Sequence, residues 1–581
     1  MRLNVTRSKN AASLYVIKSV YNSKTQSNYS KIVEKLGTEA ELREKLNGAD
    51  PYEWAKKYIE ELNKNEKEEK QDILLKCSPK KQISKDEQRS FNGGYLFLQK
   101  IYHELGLHKI CKTIADRHKF TFNLDSILSR LVYGRIIFPS SKLATYELSK
   151  NFIEQPDFEL QHIYRSLEVL SKETDYVQSE LYNNSLNVCD RNKGILYYDC
   201  TNYYFEIEQE EGLRQYGVSK EHRPNPIVQM GLFMDGDGLP LAFCINKGNT
   251  NEQTTLKPLE KKIISDFGLS KFIVCTDAGL ASNANRKFNN VKDRAFITTQ
   301  SIKKLKSHLK EWALDTRGWL LSGSKDKYEY DITKLDEQTD KDKIFYKQRW
   351  INEDDLEQNL VVTFSLKYKT YQQTIRNCQI ERAQKVIDTN PKKLKKCNAN
   401  DYKRFIAKTH CTPDGEIADK IAYGIDTRLI SQEAMYDGFY AVCTNLEDDA
   451  SEIIKVNRRR WEIEESFRIM KTEFKARPVY LQRDNRIQAH FMTCFISLLI
   501  YRLLEKRLSG EHTCNEIISG LRDMNFYEIK GEGYIPTYTR TDFTDALHDN
   551  FGFRTDYQIL TAKQMKKILN DTKNQKTLRT F

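Results

Sequence analysis

Three carboxylates, Asp199, Asp277 and Glu464, stand where the chain gives them chemistry to do. Asp199 interrupts the apolar and aromatic run ILYYDCTNYYF. An ionised side chain there is costly unless it is paired, hydrogen-bonded or bound to a metal. Asp277 lies in VCTDAGL, where an apolar run passes into a Gly-containing loop. Glu464 lies in NRRRWEIEESFRIMK, Asn457 to Lys471, with Arg460 one turn before it and Lys471 two turns after. Three hard oxygen donors suit two divalent ions of the magnesium type. Two such ions about 4 Å apart activate the attacking oxygen and stabilise the leaving one in phosphoryl transfer. Arg460 and Lys471 would hold phosphates beside them. Each residue alone also has a plainer reading: an Asp facing water at a strand end, an Asp in a turn, or a surface helix with charge pairs four residues apart. The combination is far more specific than any member.

The elements that must position these groups are legible. Asn457–Lys471 reads as one helix, with no Gly or Pro until Pro478. Ile463, Phe467, Met470 and Phe474 form an apolar stripe. Asn457, Arg460, Glu464 and Lys471 form a polar one, centred about 80° round the helix. Upstream, Ile195–Phe205, Ile227–Met234 and Leu239–Ile245 read as strands, the last two joined by the tight turn DGDG. Helix Gln253–Phe267, strand Phe272–Thr276, helix Ala281–Val291 and strand Ala295–Thr299 follow. Strand Phe439–Thr444 delivers the chain to the glutamate helix, and a buried helix, Asn485–Leu508, packs behind it. The expected fold class is α/β, a ribonuclease H-like mixed sheet interrupted by an insertion. In that fold the first and fourth strands are adjacent, so Asp199 and Asp277 would be neighbours at the sheet end where α/β folds tend to place ligands.

A chain of 581 residues exceeds one core. The expected units are a small β/α unit at 1–75, a helical and DNA-binding domain at 76–190, and a first core segment at 191–300. An insertion domain at 301–436, a second core segment at 437–510 and a tail at 511–581 complete them. The charged run NKNEKEEKQ reads as a solvated linker, and the tail is uninformative. Apolar residues make up 39% and charged ones 30%, which excludes a disordered chain. A net charge of +12 favours an anionic partner, nucleic acid first. Twelve cysteines without a close Cys-x-x-Cys pair argue against zinc or disulfide scaffolds. MRLNVTRSKN lacks the apolar stretch of a signal peptide, and FMTCFISLLIY is too short to span a bilayer. A cytoplasmic protein with no membrane partner is expected.

The blocks YYDCTNYYFE and VCTDAGL, together with Arg460, Glu464 and Lys471 at the spacing Arg, three residues, Glu, six residues, Lys, resemble the DDE transposases of bacterial insertion sequences. Within them the chain is similar to the insertion-sequence-four superfamily over roughly Gly194 to Leu508. Asn457 departs from that pattern, which has Tyr at its position. The resemblance implies that Asp199, Asp277 and Glu464 bind two Mg²⁺ or Mn²⁺ ions and catalyse cleavage at element ends and strand transfer. It implies DNA contacts at Arg460, Lys471 and Asn457, a homodimer bridging two duplex DNA ends, and association with the nucleoid during activity. It also implies a hairpin intermediate with a flipped base on a tryptophan, for which Trp312, Trp319 and Trp350 are candidates. The alternatives are a nuclease of the same fold without strand transfer, and a catalytically silent DNA-binding relic.

Overall fold

The computed structural model describes residues 1–581 apart from 9–10, 23–26, 47–48, 70–78, 81, 327, 390–399, 412–416 and 575–581. The chain divides into two compact units, Met1–Gln88 and Arg89–Phe581. In the first, strands Arg2–Arg7, Ala12–Asn22 and Ser27–Thr38 form an antiparallel sheet, with helices Glu39–Lys45 and Pro51–Glu69. A capping box between Thr38 and Glu41 starts the first of these helices, and Leu14, Leu42 and Ala55 form the core. The run expected as a linker is helical through Glu69.

The second unit is built on a nine-stranded sheet. Its strands in chain order are β1 (Ile195–Tyr204), β2 (Ile227–Asp235), β3 (Pro240–Lys247), β4 (Phe272–Thr276), β5 (Arg294–Thr299), β6 (Leu320–Leu321), β7 (Phe345–Glu353), β8 (Leu356–Phe364) and β9 (Phe439–Thr444). The spatial order is β6-β7-β8-β9-β5-β4-β1-β2-β3. β4 runs parallel to β1 and to β5, and every other pairing is antiparallel. The β2–β3 turn is held by Asp235, fully buried, which accepts from the Asp237 and Leu239 amides and pairs with Arg191 at 2.6 Å. The segment expected as an insertion domain contributes β6, β7 and β8 to this same sheet. Leu360, Val361, Val362 and Phe364 of β8 are buried, so β8 behaves as an interior strand. Its pairing with β9 carries the sheet without a break into that segment.

Strand alternation assigns the two faces. Tyr198 packs on Phe233 and bonds Thr255 at 2.7 Å, toward helix Leu256–Asp266. Tyr197, Asp199 and Tyr203 point the other way, toward the core helix Asp484–Arg507 and the helices that precede it. The core helix is long and apolar enough to cross a membrane, yet 94% of its apolar window is buried within the protein. It packs on helices Leu160–Lys172, Leu124–Ile137 and Tyr95–Glu104 of the helical layer. The tail also joins that layer. Strand Asn525–Ile529 pairs with Ser90–Asn92, and helix Ala562–Lys573 lies on Tyr95–Glu104, where Gln99 reaches Thr572 at 3.2 Å.

The glutamate helix corrects the sequence reading. Asn457–Lys471 is not one helix: Ala450–Arg458 ends, Trp461–Arg468 begins anew, and Ile469–Glu473 is a π-turn. Across the break the Arg459, Arg460, Glu462 and Ile463 amides all bond three residues back. The Val456 carbonyl, which would serve the Arg460 amide in a continuous helix, accepts the Tyr197 hydroxyl from β1 at 2.9 Å. That hydroxyl is 259 positions away, so the break has no local signature.

Candidate active site

The pairing register brings two of the three carboxylates together. Tyr198 of β1 lies opposite Thr276 of β4 in a parallel ladder, so Asp199 and Asp277 are the next residues along adjacent strands. Asp199 is 9% exposed and accepts the Cys200 amide at 2.7 Å. Burial pushes its pKa up to about 6; Lys220 opposes the shift and Asp277 adds to it. Asp277 is half-buried, and its Oδ1 accepts the Gly279 and Leu280 amides at 3.0 and 3.1 Å. Those bonds fix the turn that ends β4.

Glu464 lies further out. Its side chain is 56% exposed and pairs with Arg460, Nη2 to Oε1 at 3.0 Å. Burial works against the Arg460 charge, but Tyr440, Glu464, Asp199 and Asp277 outweigh it and raise its pKa. Arg460 thus feels all three carboxylates. Among the described residues Glu464 does not close within 4.8 Å of both aspartates; the one carboxylate–histidine group that is so close is Asp545, His548 and Asp556 in the tail. Asp199, buried, and Asp277, half-buried beside it, offer hard oxygen donors that fit a divalent cation, which would offset the repulsion between them.

Lys471 and Asn457 are positioned differently from one another. Lys471, 14% exposed, pairs with Glu221 at 3.5 Å and stands over the Tyr203 ring. Burial drives its pKa down to about 8, with Lys220 adding and Asp199 opposing. Asn457 turns inward. It is 8% exposed, its Nδ2 donates to the Tyr440 hydroxyl at 3.2 Å, and its Oδ1 accepts the Cys275 thiol at 3.7 Å. As placed here it ties the helix to β9 and β4 and offers no free amide to DNA.

The sequence reading missed Lys220. Its Nζ donates to the Cys200 carbonyl and pairs with Glu252 at 3.2 Å. Burial opposes its charge, while Asp199 and Glu252 outweigh that and raise its pKa. It comes from the loop between β1 and β2, YGVSKEHRPNP, which carries no signal beyond a scatter of cations. A cavity of about 460 Å³ adjoins Glu464, lined by Tyr368, Tyr371, Tyr440, Arg460 and Trp461. Trp461 is 57% exposed there, whereas Trp319 is wholly buried with its Nε1 on the Asp315 carbonyl at 2.9 Å.

Two carboxylates just past the end of the parallel β1–β4 ladder, with Arg460, Lys220 and Lys471 around them, form a candidate site for metal-assisted phosphoryl transfer on an α/β sheet. The family model for the transposase DDE domain matches residues 206–500, half of the chain, and the protein belongs to that family. It is therefore a DNA-binding enzyme of DNA transposition, acting with divalent metal ions. The matched span includes Asp277 and Glu464 and begins just after β1, so Asp199 stands on geometry. No curated protein matches the chain. Among solved structures, the cryo-EM structure of a piggyBac transposase synaptic complex with hairpin DNA is similar at 8% identity and a TM-score of 0.35, over 84% of this chain and 86% of that one. A likeness that distant carries no inference.

Proposed function

We propose that this transposase is of the bacterial insertion-sequence-four type, with a ribonuclease H-like core, and that Asp199, Asp277 and Glu464 are its catalytic carboxylates. The order β3-β2-β1-β4-β5, with β2 alone antiparallel to its neighbours, supports the core reading. The observation that carries the site is the juxtaposition of Asp199 and Asp277 on adjacent parallel strands, with Arg460 linking them to Glu464. Two Mg²⁺ or Mn²⁺ ions, when bound there, would lower the pKa of the attacking water and stabilise the leaving oxygen. Arg460 then exchanges its contact with Glu464 for a DNA phosphate, freeing the carboxylate to complete the ligand set. Lys220 and Lys471 hold positive potential over Asp199 and orient the scissile strand. Trp461, at the mouth of the cavity beside Glu464, offers an aromatic face to an unstacked base. The DNA ends are bridged by a homodimer in the bacterial cytoplasm, at the nucleoid.

The test is a cleavage assay with Mg²⁺ on a duplex carrying the DNA that flanks the protein's own gene. Asp199→Asn, Asp277→Asn and Glu464→Gln are each expected to abolish nicking at the element boundary and leave binding within about threefold of wild type. A variant that cuts normally removes its residue from the ligand set. A joined product separates a transposase of this type from a nuclease that only cuts.

A further inference from the structure

A second cavity, of about 470 Å³, lies between the helical layer and the segment that leaves the π-turn. Arg135, Lys142, Lys475, Arg477 and His490 line it, with Ser140 and Ser141 at the start of helix Lys142–Ser149. Among the described residues no carboxylate lines it.

Its two innermost basic groups, Arg135 and Lys142, are built in beside the neutral His490 ring. Lys142 is 5% exposed, Arg135 4% and His490 6%. Arg135 is braced through Nη1 to the Phe474 carbonyl at 3.0 Å and Nη2 to the Ser140 carbonyl at 3.2 Å, while its Nε has no partner among the described residues. His490 Nε2 lies 3.2 Å from the Ala476 carbonyl, and its Nδ1 is unpartnered. Lys142 Nζ is also unpartnered. Burial pushes the Lys142 pKa down to about 7, and Arg135 adds to the shift. Burying an ammonium beside a guanidinium without an anion opposes folding; methionine would fill the same space without that penalty. The helix start adds the positive end of its dipole, although the Ser141 hydroxyl already accepts the Ala144 amide. An oxyanion would satisfy the Arg135 Nε and the Lys142 Nζ together.

The cavity also lies at the end of a line of charge. Arg477 and Lys471 both pair with Glu221, and Lys471 and Lys220 act on Asp199. Cations thus run from the carboxylate pair to the cavity, the pattern a nucleic-acid backbone follows.

We propose that this cavity binds a phosphate group, and that the phosphate belongs to the backbone of the DNA strand engaged at Asp199 and Asp277. The identity of the strand rests on the site reading above; the phosphate chemistry does not.

The full chain would be melted in chloride and in inorganic phosphate at equal ionic strength. Its affinity would also be measured for the duplex used above with each phosphate in turn replaced by an uncharged methylphosphonate. Lys142→Met is expected to melt at or above wild type in chloride, to lose the rise in Tm that phosphate gives wild type, and to bind the unmodified duplex about tenfold more weakly. At one or two positions the methylphosphonate should weaken wild type by a similar factor and leave Lys142→Met unaffected. Lys475→Gln, at an exposed position of the cavity wall, should repeat the pattern without touching the core. Stabilisation by phosphate with no sensitive position in the DNA would give the site to free phosphate and overturn the DNA assignment. Variants indistinguishable from wild type with both probes would overturn the site itself. Neither readout involves cleavage, so a Glu464→Gln enzyme that still cut would count against the catalytic reading alone.

Discussion

Asp199 and Asp277 are the same residue type on adjacent strands, yet their surroundings divide the work between them. Asp199 is sealed under the helices, and that burial pushes its pKa up to about 6 against the pull of Lys220 and one backbone amide. Asp277 spends one oxygen on capping its own turn. A third buried carboxylate shows the effect of burial apart from metal chemistry. Glu260 is fully buried, accepts one bond from Asn289 at 3.1 Å, and has its other oxygen unpartnered among the described residues. Burial raises its pKa to about 7. For an acid raised in the folded state, the stabilising contribution is complete below the unfolded value near 4.5 and is lost as pH rises through about 7. Glu260→Gln should therefore raise stability at pH 8 by about 2 kcal/mol and change it little at pH 5, measured by denaturant unfolding. An equal effect at both pH values would mean the side chain acts through packing and not through its charge.

The break between Ala450–Arg458 and Trp461–Arg468 lets one stretch of chain serve two surfaces. The first helix turns Asn457 into the sheet, while Arg460, capping the second helix, and Glu464 within it turn out and pair with each other. Arg502 of the core helix holds the second helix down. It donates to the Ser466 hydroxyl at 2.9 Å, Glu465 at 3.2 Å and Glu505 at 2.6 Å, and is 8% exposed. Because Glu465 and Glu505 keep some contact with solvent, Arg502→Met should cost about 2 kcal/mol, below the range for a fully buried pair. It should slow single-turnover cleavage while DNA affinity stays within about twofold. Unchanged cleavage in a destabilised protein would show that this anchor supports the fold without placing Glu464.

At the scale of the molecule, the two ends of the chain differ. Met1–Gln88 has its own sheet, helices and core. The tail does not: Phe543, Leu547, Phe551, Leu560 and Met565 are part of the main core, and Phe97 stacks on Phe553 with centroids 4.9 Å apart. A chain starting at Arg89 should keep the main cooperative melting transition. A chain ending at Gly510 should lose it and aggregate, since a large part of the apolar cover of the helical layer goes with it. Thermal melts of both truncations followed by circular dichroism would check this; a folded 1–510 chain would refute the role assigned to the tail.

The sequence by itself determined what depends on near neighbours. Alternation and β-branched or aromatic runs located β1, β2, β4, β5 and β9 to within a residue or two. The types and spacing of Arg460, Glu464 and Lys471 pointed to phosphate chemistry because residues four and eleven positions along a helix return to the same face. Tertiary structure alone decided the rest, and in each case the deciding partner is distant. The Tyr197 hydroxyl breaks the helix from 259 positions away. β8 extends the sheet by pairing with β9 across a long excursion of chain. Lys220 reaches Asp199 from a loop with no periodicity, and Lys142, Arg135 and His490 meet in one cavity although His490 is more than 300 positions from either. Local propensity sets which segments are straight; the burial of polar groups, settled only when distant segments pack, sets which of them carry the chemistry.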